Sequence, residues 1–159
     1  MFSIALLLFL VLAAATKNSR GSNQTTIPAA AAAEFCPVTH ANGSSVPGEQ
    51  TSPNVFGNQN LLVVVELNGE MALRRHKDGW LWAPKVGWLR MIHGRLLVTG
   101  SRLDRPAPPM RSVVSEEYGD IGFQPTSLGF PSEGCWKITG RVGREELTFV
   151  TRVVEKREG

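Results

Sequence analysis

Two cysteines are the residues with the most definite chemistry in this chain of 159 residues. Cys36 and Cys135 are far apart in sequence, and two thiols of an exported protein tend to pair because the compartment is oxidising. A bond between them closes a loop of about 100 residues, for which chain entropy gives roughly 4 to 5 kcal/mol of stabilisation. We predict a Cys36–Cys135 disulfide. The alternatives are two free thiols or a metal pair, for which Cys36-x-x-x-His40 is the nearest signature.

A tryptophan cluster is the second chemical feature. Trp80 and Trp82 are two residues apart, so they share a face if they lie on a strand, and Trp88 follows after a segment with proline and glycine. Flat indole faces suit the C–H surface of a pyranose, and the neighbouring Arg74 and Arg75 can add cation–π or anion contacts. These residues form a candidate face for a carbohydrate or peptide ligand. The alternative is that the rings fill the core or cover a sheet edge.

The histidines are isolated from one another, and each lies near turn residues. A copper or zinc site would need convergence of the following residues: His40, His76 and His93, with Met71, Met91 or Met110. We expect no metal and no cofactor, and a periplasmic copper-binding protein is the alternative. The sequence contains no Gly-x-Ser-x-Gly, His-Glu-x-x-His or phosphate-binding glycine motif. A hydrolase would need a nucleophile and a base that the fold brings together, so we expect a non-enzymatic protein.

Composition and charge exclude several classes of protein. With 42% apolar residues the chain is too hydrophobic for a disordered protein, and its length fits one globular domain. The 17 basic and 14 acidic residues give a net charge of +3, and they are scattered along the chain. Because a nucleic-acid-binding protein usually shows a basic stripe or cluster, we expect no nucleic-acid partner.

The N-terminus is predicted to direct export. Residues 2–15 read FSIALLLFLVLAAA and carry no charge, whereas a membrane-spanning helix needs about 20 apolar residues. The short length and the small residues Ala13 and Ala15 are typical of a signal peptide. We therefore predict that residues 1–15 are a signal peptide or a short membrane anchor, which would be the only membrane contact if it is not cleaved. The polar, then alanine-rich residues 16–35 are predicted to be a flexible tether.

Residues 36–159 are predicted to form one all-β domain. Short apolar and β-branched stretches alternate with turn residues, and in the last stretch, 145–155, apolar residues recur at every second position. Pro84, Lys85 and Gly87 are expected to separate two strands, and residues 116–127 to form a long connection. The prolines within 106–109 must end a strand or move the chain to another sheet. Seven or eight such strands predict an antiparallel β-sandwich.

Several motifs also resemble a known group of proteins. The segments are CPVT at 36–39, LDRPAPP at 103–109, YGDIGFQ at 118–124 and FPSEGCW at 130–136. Together they resemble uncharacterised bacterial exported proteins that carry a signal or lipoprotein leader and one immunoglobulin-like β-domain. The resemblance implies an immunoglobulin-like sandwich in an exported protein, and it implies no activity.

The sequence therefore predicts an exported, non-enzymatic β-sandwich module with a structural or binding role. It is expected to be secreted, or to lie in the periplasm or cell envelope, with a protein or glycan partner there. A carbohydrate- or peptide-binding module that uses the tryptophan face is the first alternative, and the copper-binding protein is the second.

Overall fold

A computed structural model describes residues 35–45 and 53–156 of the chain. The predicted signal peptide or anchor at 1–15 lies outside the described residues, as does the predicted tether up to residue 34. In the part of the chain that is described, no helix is both long enough and apolar enough to span a bilayer.

The described chain consists of β-strands, so the prediction of an all-β fold is confirmed. The strands are β1 (Val55–Gly57), β2 (Leu61–Val64), β3 (Glu70–Leu73), β4 (Leu81–Arg90), β5 (Leu96–Arg102), β6 (Arg111–Val114), β7 (Gly122–Phe130), β8 (Gly134–Val142) and β9 (Glu145–Glu155). A single 3-10 turn at Glu116–Tyr118 precedes β7. The count differs from the seven or eight strands predicted because β1 and β3, which are three and four residues long, were not anticipated.

Two sheets form a sandwich-like arrangement. The five-stranded sheet has the order β1-β2-β4-β7-β6, and the four-stranded sheet has the order β3-β9-β8-β5. Neighbouring strands are antiparallel except for β3 and β9, which are parallel. The predicted antiparallel sandwich therefore contains one parallel pair at an edge.

The last strand illustrates how alternation builds the core. In β9, the residues Leu147, Phe149, Thr151 and Val153 are buried, while the residues between them are at least partly exposed. Successive side chains of a strand point to opposite faces, so one face of β9 closes the core and the other faces solvent. The predicted alternation is confirmed.

Trp88 makes the central contact between the two sheets. Its ring is 1% exposed and lies against Gly140 of β8, where a Cβ would overlap the six-membered ring. It packs against Phe149 with ring centroids 5.9 Å apart. Its indole N–H donates to Thr126 Oγ1 at 3.2 Å, and that hydroxyl donates to the Val86 carbonyl at 3.1 Å. This large buried side chain is therefore both packed and hydrogen-bonded.

The prediction that residues 84–87 separate two strands was wrong. β4 is continuous, and its register with β7 shifts between Ala83 and Val86. Lys85 adopts a φ of 62° there, a left-handed conformation that is uncommon for residues other than glycine. The single extra residue is taken up in a β-bulge, which bends the strand without ending it.

The connection predicted at 116–127 was wrong in its second half. β7 begins at Gly122, so the connection is short and contains the 3-10 turn. The proline-rich segment 103–110 behaves as one of the two predicted outcomes, because β5 and β6, on either side of it, lie in different sheets.

Arg90 holds the connection before β7 in place. Its side chain is buried at the end of β4, and its guanidinium donates to the carbonyl of Gly94 at 2.9 Å. It also donates to the carbonyls of Tyr118 at 3.2 Å and Gly119 at 3.1 Å. One buried cation thus links the β4–β5 turn to the loop before β7.

We expect Gly140→Ala to lower the free energy of unfolding by about 3 kcal/mol, because a methyl group does not fit beneath Trp88. Trp88→Phe removes ring atoms that the methyl would meet, so the double variant should be less destabilised than the sum of the two single variants. Urea denaturation of all the variants measures this coupling. Thr139→Ala, at the neighbouring position, is the control, with an expected cost below about 1 kcal/mol. Strictly additive effects would contradict the proposed contact.

Candidate functional site

The predicted Cys36–Cys135 disulfide is present, with the two Cα atoms 5.4 Å apart. The residues after Cys36 run beside β9. There the Thr39 N–H donates to the Val150 carbonyl at 2.8 Å, and the Thr39 Oγ1 accepts from the Val150 N–H at 2.9 Å. The bond therefore fastens this N-terminal segment to the four-stranded sheet. A disulfide fits an oxidising compartment outside the cytosol.

A buried ion pair lies beside the disulfide. Arg102 and Asp104 have side chains that are each 6% exposed, and they form two hydrogen bonds of 2.6 and 3.0 Å. Asp104 also accepts from the Cys135 backbone N–H at 3.3 Å, and Arg102 donates to Ser132 Oγ at 2.8 Å. The hydrogen bonds from Arg102 hold the pKa of the Asp104 carboxyl below its usual value. Because both charged groups have their partners, we interpret this pair as structural.

Trp82 lies across the outer face of the five-stranded sheet. Its partner on β7 is Gly129, where a Cβ would be 2.9 to 3.0 Å from three carbons of the six-membered ring. The glycine therefore allows the indole to rest on the backbone while the ring stays partly exposed. Asp78 fixes the indole, because its carboxylate accepts from Trp82 Nε1 at 3.2 Å and from the Trp80 backbone N–H at 3.1 Å. The bond from the Trp80 backbone lowers the pKa of Asp78.

Arg111 is the cation that stacks on the cluster. It lies at the start of β6, and its guanidinium carbon is 3.9 Å from the centroid of the Trp80 ring. From the sequence, Arg74 and Arg75 were expected to have this role. Arg75 instead forms an ion pair of 2.6 Å with Glu155, and Arg74 is exposed after the end of β3. No sequence signal singles out Arg111, because its contact depends on the pairing of β6 with β7.

Trp80, Trp82 and Arg111 together are called the indole platform below. Trp88 does not belong to it, because Trp88 is buried between the sheets. Trp82 and Trp88 are six residues apart, so a regular strand would place them on the same face. The bulge of β4 lies between them and reverses the parity, which explains why the prediction of a shared face was wrong for Trp88.

The outer faces of the two sheets differ in composition. Outward positions of the five-stranded sheet are mostly apolar residues, glycine or proline: Val64, Gly87, Leu89, Val113, Phe123, Pro125 and Gly129. Outward positions of the four-stranded sheet are mostly polar or charged: Thr99, Ser101, Lys137, Thr139, Arg141, Thr148 and Arg152. The solvent-facing side of an antiparallel sheet is normally polar. The apolar outer face of the five-stranded sheet is therefore the candidate binding surface.

Phe123 is a second aromatic residue on this surface. It is 53% exposed, it lies over Gly87, and its ring meets Tyr118 edge-on with centroids 6.2 Å apart. Gly87 plays the same part for Phe123 that Gly129 plays for Trp82. Phe123 was not predicted as a surface aromatic residue because it lies within the connection that was expected at 116–127.

The histidines do not form a shared site. His76 lies in the turn before β4, 3.4 Å from Asp78, and His93 lies in the turn after β4, 3.2 Å from Asp120. A strand of ten residues separates these two turns by roughly 30 Å, far beyond any shared coordination sphere. Across residues 35–45 and 53–156, no group of three or more histidine, cysteine, aspartate or glutamate side chains could hold a metal ion.

No protein-family model matches the chain, and no curated protein matches it either.

We expect Asp104→Asn to destabilise the protein by about 3 kcal/mol at pH 7, because Arg102 is left buried without its counter-charge. Because the pKa of Asp104 is lowered from its ordinary value of 3.8, the stabilisation from the ion pair is fully present above that ordinary value and is lost as the pH falls through the lowered one. The stability difference between wild type and variant should therefore be constant from pH 7 to pH 5 and shrink in stronger acid. Urea titrations across this range measure it. A difference that does not change with pH would contradict the assignment, and Glu117→Gln, at an exposed position of the 3-10 turn, is the control.

Proposed function

We propose that this chain is an exported, non-enzymatic carbohydrate-binding module of the cell surface or periplasm, and that it binds glycan through the outer face of its five-stranded sheet. The observation that carries the proposal is the position of Trp82. Its ring is held flat on a glycine, and its orientation is fixed by the Asp78 carboxylate. A flat, partly exposed and oriented apolar ring is the surface on which the C–H face of a sugar stacks.

The length of the apolar face suits a chain of sugars. Trp82 lies beside Gly129 at one end of β7, and Phe123 lies near the other end of the same strand. Six residues of strand separate these two positions by about 20 Å, with Pro125 between them. An extended ligand that lies along β7 would contact an aromatic ring at each end.

Polar groups around the indole platform can bind sugar hydroxyls. Asp78 is an ionised acceptor at neutral pH because its pKa is lowered, and Arg111 supplies guanidinium donors above the Trp80 ring. Ser127 adds a hydroxyl on the outward side of β7. The platform thus combines ring faces with hydrogen-bonding groups, as carbohydrate recognition requires.

A carbohydrate fits this face better than a peptide does. The main-chain groups of β4 and β7 are used in ladders on both sides, since each of these strands lies inside the sheet. A peptide on the face would therefore find no free backbone partner, whereas peptide-binding domains commonly use a free sheet edge. The groups that this face can offer to a ligand are therefore ring faces and exposed polar side chains.

Export and the finer fold class are part of the same proposal. The disulfide supports an oxidising compartment, and the apolar residues 2–15 have the length of a signal peptide. We infer an immunoglobulin-like sandwich from the two packed sheets and the buried Trp88 at their centre. The resemblance of the motifs to bacterial exported proteins supports the same compartment.

The test is sedimentation of the purified protein with insoluble cellulose, chitin, xylan and peptidoglycan. We expect the wild type to bind at least one of them and Trp82→Ala to reduce the affinity at least tenfold, since the stacking ring is lost. Trp82→Phe keeps a ring and should retain part of the binding. Lys137→Ala, on the outer face of the other sheet, is the matched control and should bind as the wild type does.

Two outcomes would overturn the proposal. The first is a folded wild-type protein that binds none of the four polysaccharides. The second is a Trp82→Ala variant that binds as tightly as the wild type, because this would place the ligand elsewhere on the molecule.

A further inference from the structure

The edge of β5 offers a different kind of binding surface from the sheet face. Four strands lie at sheet edges, and three of them, β1, β3 and β6, are only three or four residues long. β5 has seven residues, and in the described part of the chain its ladder partner is β8 alone. A long edge strand presents main-chain groups that can pair with another strand, and proteins usually shorten or cover such edges.

β6 covers only part of this edge. The Met110 N–H donates to the Gly100 carbonyl at 3.4 Å, and the Ser112 hydroxyl donates to the Val98 carbonyl at 2.6 Å. At Val98 a side chain therefore takes the place that a main-chain N–H occupies in a ladder. Beyond this point the described residues show no further backbone hydrogen bond between β5 and β6, which belong to different sheets.

Main-chain groups of β5 point into the gap that opens beyond Ser112. The N–H and carbonyl of one strand residue point to the same side, and consecutive residues point to opposite sides. Because the carbonyls of Val98 and Gly100 are directed toward β6, the N–H of Val98 and both groups of Leu96 are directed there as well. The gap therefore has backbone donors and acceptors along one wall.

The gap is a groove of about 490 Å³ between the two strands. Its lining includes Leu97, which is 43% exposed, and Val113, which is 57% exposed. Three charged residues line it. Arg141 and Glu146 are register partners on β8 and β9, and Arg95 forms an exposed ion pair of 3.4 Å with Glu116. The groove is thus bordered by apolar side chains, and its neighbouring charges are balanced.

We propose that this groove binds an extended, uncharged segment of another polypeptide, which adds to β5 as a strand. The repeat of backbone donors and acceptors along β5 matches an extended polypeptide, and the balanced charges favour an uncharged one. The groove lies between β5 and β6, so a polypeptide inside it has one of these strands on each side. A strand that already belongs to the sheet of a second folded copy is covered on one side by its own neighbour. This argues for a segment that is not part of a sheet. This inference does not rest on the proposed carbohydrate binding.

The probe is a phage-displayed library of random twelve-residue peptides, selected on the disulfide-bonded protein with the Leu97→Lys protein as the counter-selection target. We expect enriched peptides in which uncharged apolar residues recur at every second position. A synthetic enriched peptide should bind the wild type and lose at least tenfold in affinity for Leu97→Lys and for Val113→Lys. Ser101→Lys lies on the same face of β5, beside the part of the edge that Met110 covers, and should bind the peptide normally.

Two further measurements distinguish the addition of the peptide as a strand from its binding through apolar side chains alone. Bound peptide should protect the Val98 amide from hydrogen exchange, and N-methylation of alternate peptide amides should abolish binding. Trp82→Ala should bind the peptide as the wild type does, because Trp82 is not part of the groove. The peptide experiment therefore tests this inference even if the protein binds no carbohydrate. The inference would be overturned if no peptide were enriched, or if binding left the Val98 amide unprotected. Self-association of the pure protein that Leu97→Lys abolishes would also overturn it, because the occupant would then be a second copy.

Discussion

The contact of Trp88 with Gly140 is the constraint on which the rest of the structure depends. A ring of this size fits between the sheets only where the opposing strand has no side chain, so the contact fixes how β4 and β8 lie across the core. Once Trp88 points inward, alternation forces its neighbours Gly87 and Leu89 outward. Gly87, on which Phe123 rests, therefore faces outward because its neighbour Trp88 points into the core from the same strand, β4.

A second constraint acts at the end of the sandwich where the disulfide lies. Cys135 is bonded to Cys36 through its side chain and to Asp104 through its backbone N–H. Asp104 in turn holds Arg102, the last residue of β5, just before the chain crosses to the other sheet. One residue of β8 thus anchors both the N-terminal segment and the β5–β6 crossing. The groove lies beside the first half of β5, and the contacts of Cys135 and Asp104 hold the last residue of the same strand. These contacts therefore help to fix the position of one wall of the groove.

Much of the fold could be predicted from the sequence, and the exceptions share a physical cause. Alternation in 145–155, the two cysteines and the prolines of 106–109 each act locally or allow only a few outcomes, and the structure agrees with one of those outcomes in each case. Trp88 was placed on the wrong face because the bulge in β4 reverses the side to which every later residue of the strand points. Pro84 and Lys85, which form the bulge, are not a sequence pattern that identifies one. Arg111 and Phe123 were missed because their roles depend on strands that are paired across the sheet, which sequence spacing does not encode.

The two surfaces differ in what they can recognise because of how the sheets are closed. Inside a sheet, backbone groups are consumed by ladders, so the outer face of β4 and β7 recognises a ligand only through side chains and ring faces. At the edge, β5 keeps backbone groups whose direction is set by the sheet and whose spacing any extended polypeptide shares. The crossing of the chain from β5 to β6 is what leaves this edge open, since it sends the next strand into the other sheet. The proline-rich segment lies at this crossing, so the residues that end β5 also contribute to the opening of the groove.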